Sequence, residues 1–151
     1  MAGFFSKLFG AKDKSPVQSL VDPELAVAAL LVEAALIDGI YADLESDRIS
    51  MILLESFGYD AARADQLLAE GEALAEESVG VHEFTKHVKK LPEEKRLKVI
   101  EGLYYVALAD GEKCPYEDAF IRQVASLLHI ADVPRARARK QAEARSAREG
   151  N

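Results

Sequence analysis

Two stretches of the chain place carboxylates where helices end. "ALIDGIYADLESD", residues 35 to 47, closes an apolar helical pattern with Asp38-Gly39 and follows it with Asp43, Glu45 and Asp47. "ALADGEKCPYED", residues 107 to 118, does so again with Asp110-Gly111, then Glu117 and Asp118. A helix C-terminus carries partial negative charge, so an aspartate there works against the dipole by about 0.3–1 kcal/mol. A bound cation reverses that penalty, because carboxylates and free helix-end carbonyls are hard oxygen ligands suited to Ca²⁺ or Mg²⁺. The candidate metal set is therefore Asp38, Glu45, Asp110 and Glu117, with Asp43, Asp47 and Asp118 beside them.

Plain structural accounts compete with this one. Glycine directly after the aspartate is what a helix C′ position favours. If Ala42 and Cys114 are N-caps, Glu45 and Glu117 fall at N3, where a carboxylate bonds back to the cap N–H. A solvated acidic face or salt bridges would also use these acids. An EF-hand is excluded by spacing, since that loop needs acids at positions 1, 3 and 5 and glycine at 6. Any cation site here is non-standard and assembled across both stretches.

Other chemistry finds little support. His82 and His87 are five apart with no cysteine beside them and read as surface residues; His129 reads as a helix-end residue. Cys114 is the single cysteine, which excludes an internal disulfide, and no base is placed to activate it. No Ser/His/Asp order, P-loop or dinucleotide fingerprint occurs. An enzyme is the least supported class.

The elements that must carry these acids are helices. Asp22-Pro23-Glu24 reads as an N-cap, a first-turn proline and a first-turn acid, opening a helix to about Asp38. A second helix runs from about Asp43 to Phe57, stopped by Gly58, and Asp60 caps a third to about Glu77. "SVGVHEFTKHVKKL" gives a short helix, and Pro92 starts a long one through Leu97, Ile100, Tyr104 and Leu108. Phe120, Ile121, Val124 and Leu127 mark the next. No alternating run argues for a strand, so the fold class is all-α.

Three parts follow from composition. Residues 1–20 carry +2, residues 132–151 carry +3, and the body between them carries −12 from ten Lys/Arg against 22 Asp/Glu. An acidic body repels nucleic acid and favours cations or basic partners. The first segment, 1–20, is expected to be flexible, with Phe4, Phe5, Leu8 and Phe9 on one face of a short amphipathic stretch. That face suits peripheral membrane contact or docking on a protein partner. The last, 132–151, has almost no large apolar side chain and reads as a frayed or disordered basic tail. The longest apolar run, thirteen residues from Leu25 with Glu33 inside it, is too short to span a membrane. With no secretory leader pattern either, the expected compartment is the cytoplasm.

The two acid-bearing stretches align at an offset of 72 residues: Ala35-Leu36 with Ala107-Leu108, Asp38-Gly39 with Asp110-Gly111, Glu45 with Glu117, Ile49 with Ile121. Each is a helix, an Asp-Gly stop, a bend of five residues and a glutamate opening the next helix. Across residues 22 to 131 this paired pattern resembles the TerB family, the tellurite-resistance protein B group. The resemblance implies a compact bundle of about seven helices with an acidic surface, and two helix–Asp-Gly bend–helix hairpins. It further implies bacterial tellurite and stress resistance, complexes at the inner membrane face, divalent-cation binding and no established enzymatic activity. Asp43 is matched by Pro115 and Asp47 by Ala119, so the two copies are not equivalent as sites. The expected function is a non-enzymatic domain binding a divalent cation at the Asp-Gly bends. Its alternative is a metal-independent protein-interaction adaptor.

Overall fold

The computed structural model describes residues 21–37, 39, 41–77, 80–110 and 115–150, with the side chain of Asp110 excepted. Among these residues every regular element is helical. The α-helices are α1 (Pro23–Ala35), α2 (Asp43–Met51), α3 (Ala61–Glu76), α4 (Val81–Val88), α5 (Glu93–Ala107), α6 (Pro115–Leu127) and α7 (Asp132–Gly150). A π-helical turn, Ile52–Ser56, extends α2, and a 3₁₀ turn, Leu108–Asp110, extends α5.

The start and stop chemistry behaves as local rules require. The Asp22 carboxylate accepts from the Leu25 N–H at 2.9 Å, and Pro23 occupies a first-turn position where its missing N–H costs nothing. Asp60 caps α3 in the same way through the Arg63 N–H at 2.8 Å. Beyond α1, Gly39 takes φ +84°, a left-handed conformation that glycine adopts freely. His129 takes φ +61° after α6, where Ile130 N–H reaches Ala125 O and His129 N–H reaches Ser126 O. That bonding pattern is a Schellman close, so His129 is the helix-end residue its position suggested.

α1 is the axis of the fold. Nine of its residues, from Ala26 to Ala35, are buried, and α2, α3, α4, α5 and α6 all pack against it. A helix apolar on every side needs cover on every side. Small residues set the closest approach: a Cβ on Gly71 of α3 would stand 3.0 Å from the Ala28 backbone carbon. Ile49, Ile52, Ile121 and Val124 all enter this one core.

The second half of α5 is also buried all round, from Gly102 to Ala107. Its outer side is covered by α7. This departs from the frayed tail expected for residues 132–151. α7 is helical to Gly150 and buries Arg135, Ala138 and Ala142. Its anchors are arginines, whose stems pack while their guanidiniums bond, and a search for large apolar side chains misses them. The amphipathic stretch at Phe4, Phe5, Leu8 and Phe9 lies outside the described residues. Among those described, no helix is long and apolar enough to cross a membrane.

Candidate functional site

At the first bend, α2 begins immediately after the turn, with Ala42 as its N-cap. Glu45 stands at N3, and its Oε1 accepts from the Ala42 N–H at 2.8 Å. The alanine side chain offers no acceptor, so this is only the glutamate half of a capping box. Glu45 is thereby drawn inward and is buried at 4% exposure. Asp43 and Asp47 are four residues apart on the same helix, both exposed, and neither forms an ion pair among the described residues. Leu44, between Asp43 and Glu45, is half exposed. Beside this turn the Tyr41 hydroxyl donates to Glu72 at 2.6 Å. Burial, with the Glu72 carboxylate second, holds that phenol well above its ordinary pKa. Asp38 lies outside the described residues.

The second bend is built from the 3₁₀ turn ending at Asp110 and from the start of α6. Residues 111–114, including Cys114, lie outside the described set. Glu117 is the third residue of α6 and is buried, as Glu45 is in α2. Asp118 differs sharply from its counterparts at the first bend. Its Oδ2 accepts from Arg122 Nε at 2.8 Å, and its Oδ1 lies 3.7 Å from an Arg139 guanidinium nitrogen on α7. The Arg122 hydrogen bond, above all, holds the Asp118 carboxyl below its usual range. α2 packs against the turn Leu108–Asp110, so the acid-bearing segments are neighbours in the fold.

As a donor set, these groups divide. Asp43 and Asp47 present free hard oxygens to solvent. Asp118 has its charge balanced by two arginines and would have to exchange them for an ion. Glu45 commits one oxygen to the helix start. Among the described residues no group of three or more His, Cys, Asp or Glu is placed to hold a metal ion. Asp38 and the Asp110 carboxylate fall outside that statement.

Sequence reasoning missed a set of arginines gathered on two neighbouring tyrosines. Tyr105 is fully buried; its ring carries the Arg48 guanidinium at 4.4 Å and that of Arg145 at 4.2 Å. Arg48, itself buried, also donates to the Tyr105 carbonyl at 2.8 Å. The Tyr105 hydroxyl donates to Glu149. Tyr104 accepts from Arg135 at 3.0 Å and lies under Arg139 at 5.8 Å. The available signal was spacing: Arg135, Ala138, Ala142, Arg145 and Glu149 alternate by three and four along one helix face. His87 is a second miss. It was expected at the surface, but α4 turns it inward to 9% exposure while His82 stays outside. Phe84, three residues before it on the same face, is a core residue, as is the adjacent Val88.

Comparison with known proteins adds one finding. A family model described as "Tellurite resistance protein TerB" matches residues 24–140, from the first turn of α1 into the middle of α7. No curated protein and no solved structure matches the chain. The matched span contains both bends, the central helix and the tyrosine pair, and on that extent the chain belongs to the TerB family.

Proposed function

We propose that this TerB-family chain is a non-enzymatic, tellurite- and stress-resistance-related domain that binds a divalent cation on the acidic surface at its Asp-Gly bends. In this reading the two bends are copies of one helical hairpin, offset by 72 residues. The carrying observation is the pair Asp43 and Asp47: exposed, one turn apart, and without an ion-pair partner among the described residues. Two carboxylates at this separation repel, and an ion such as Ca²⁺ or Mg²⁺ between them removes that repulsion. Asp38 and Asp110 are the acids the same ion would draw on from the bends. The chain's own residues would do no more than supply oxygens and negative field. The cytoplasm, including the inner face of its membrane, is the compartment this reading assigns.

A specific feature favours the adaptor reading as the second choice. Leu44 is 50% exposed and Tyr116 is 76% exposed, and they occupy matched positions in the two aligned stretches. An apolar side chain flanked by acids suits a protein partner with a basic, partly apolar face. Metal titration followed by thermal melting and residue-resolved NMR separates the two. With millimolar Ca²⁺ or Mg²⁺ the wild type should gain stability as RT ln(1 + [L]/Kd), and Asp38→Asn with Asp110→Asn should gain much less. Equal responses, or none in either protein, would defeat the cation reading and leave the adaptor.

A further inference from the structure

We propose that α7 is a detachable strap. Guanidinium–tyrosine and ionic contacts hold it on α5, and its opening, favoured by rising ionic strength, uncovers Tyr104 and Tyr105 while the rest of the fold stays intact.

α7 buries few of its own side chains. Among its described residues only Arg135, Ala138 and Ala142 are buried, and its one branched aliphatic side chain, Val133, is 67% exposed. The aliphatic surface that α7 itself contributes is small, two alanine methyls and the arginine stems lying on the tyrosine rings. Polar contacts supply the rest of the docking. Arg135 reaches the Tyr104 hydroxyl, Arg139 pairs with Asp118 of α6, and Arg145 pairs with Glu55 at 2.5 Å while lying over the Tyr105 ring. Glu149 accepts from the Tyr105 hydroxyl.

Asp118 is half-buried and the Oδ1 that faces Arg139 is shielded, whereas the partner of Arg145 is open to solvent, with the Glu55 side chain 59% exposed. Ionic contacts of that kind weaken as salt screens them. The central core makes no comparable demand on α7. α1 is enclosed by α2 to α6, whereas α7 packs on α5 and on the 3₁₀ turn after it. Regions with few buried apolar contacts open at lower free energy than the core. What opening exposes is specific: two tyrosines of α5, held at 5% and 0% exposure while α7 is in place.

Amide hydrogen exchange on the full chain tests this, at about 0.05 M and about 1 M NaCl, a range over which the Debye length falls several-fold. The decisive amides run from Arg135 to Ala142, clear of ordinary fraying at the chain end. They should exchange faster than those of α1, and faster again at high salt. Arg145→Gln, which removes contacts to Glu55, Glu149 and the Tyr105 ring, should accelerate them roughly tenfold or more and leave α1 unchanged. Arg63→Gln, which removes an ion pair to Glu24 away from α7, serves as control and should leave the α7 amides alone. Exchange of α7 and α1 at one common rate would overturn the proposal. So would local opening of α7 with no response to salt.

Discussion

The first and last helices of this domain are held by opposite physics. α1 is enclosed by aliphatic side chains and by backbone approaching backbone at Gly71 and Ala28. α7 lies on two tyrosines through arginines, with acids completing the pairs. Apolar burial is non-directional, indifferent to salt and costly to interrupt. Guanidinium contacts are directional, respond to pH and salt, and are individually modest at a surface. A bundle built this way has a firm centre and a side whose attachment is conditional.

The largest test of that contrast is Leu31→Ala. Leu31 is fully buried in α1. Its truncation should cost about 2–5 kcal/mol and lower Tm by roughly 2–4 °C for each, with the same loss at low and high salt. A loss that shrank at high salt would break the distinction between the two regions. Next is Gly71→Ala, which sets a methyl 3.0 Å from the Ala28 backbone. Helix propensity favours the alanine by up to about 1 kcal/mol. Overpacking costs about 1–3 kcal/mol, and because the obstacle is backbone, a net loss is expected by chemical denaturation.

Acidification should act on the other side of the molecule. The Tyr105 hydroxyl holds the Glu149 carboxyl below its usual range, and Arg122 does the same for Asp118. A depressed folded-state pKa means the unfolded chain binds more protons, so the stabilisation is present above the ordinary carboxylate range and is lost as pH falls through it. Far-UV circular dichroism and α7 amide exchange below about pH 4 should therefore report loosening of α7 before α1. His87 follows a separate course: burial lowers its pKa, so its contribution is lost as pH falls below about 6.5. His87→Gln should remove that earlier step and leave the carboxylate step in place.

The smallest effect is expected where α7 meets the start of α6. Asp118→Asn removes the charge that pairs with Arg122 and Arg139. The expected loss is under about 1 kcal/mol, read in chemical denaturation and vanishing at high salt. Asp43→Asn breaks no ion pair among the described residues, so it should cost nothing by the same measure.

Much of this architecture is written locally. Asp22, Pro23, Asp60 and Gly39 mark helix ends through bonds and dihedral angles that involve only near neighbours. The apolar run of α1 announces a helix with no solvent face, and the matched acids at the two bends are visible in the chain alone. Side-chain periodicity and capping act over a few residues, which is why they can be read without a fold. The state of residues 132–150 could not be read that way. Their composition is that of a solvated tail, and they become a packed helix because Tyr104 and Tyr105, some thirty to forty residues earlier, present ring faces and a hydroxyl to Arg135, Arg139 and Arg145. The difference between the two bends arose in the same way. Asp118 and Asp43 are both acids in the first turn of the helix after a bend, but of the two Arg139 reaches Asp118, because α7 folds back across α5 to the start of α6. Local rules specified α1 to α6 and most of their ends; whether α7 forms and which charges meet is decided by long-range packing, since a guanidinium contact forms only after tertiary structure has brought its partner within reach.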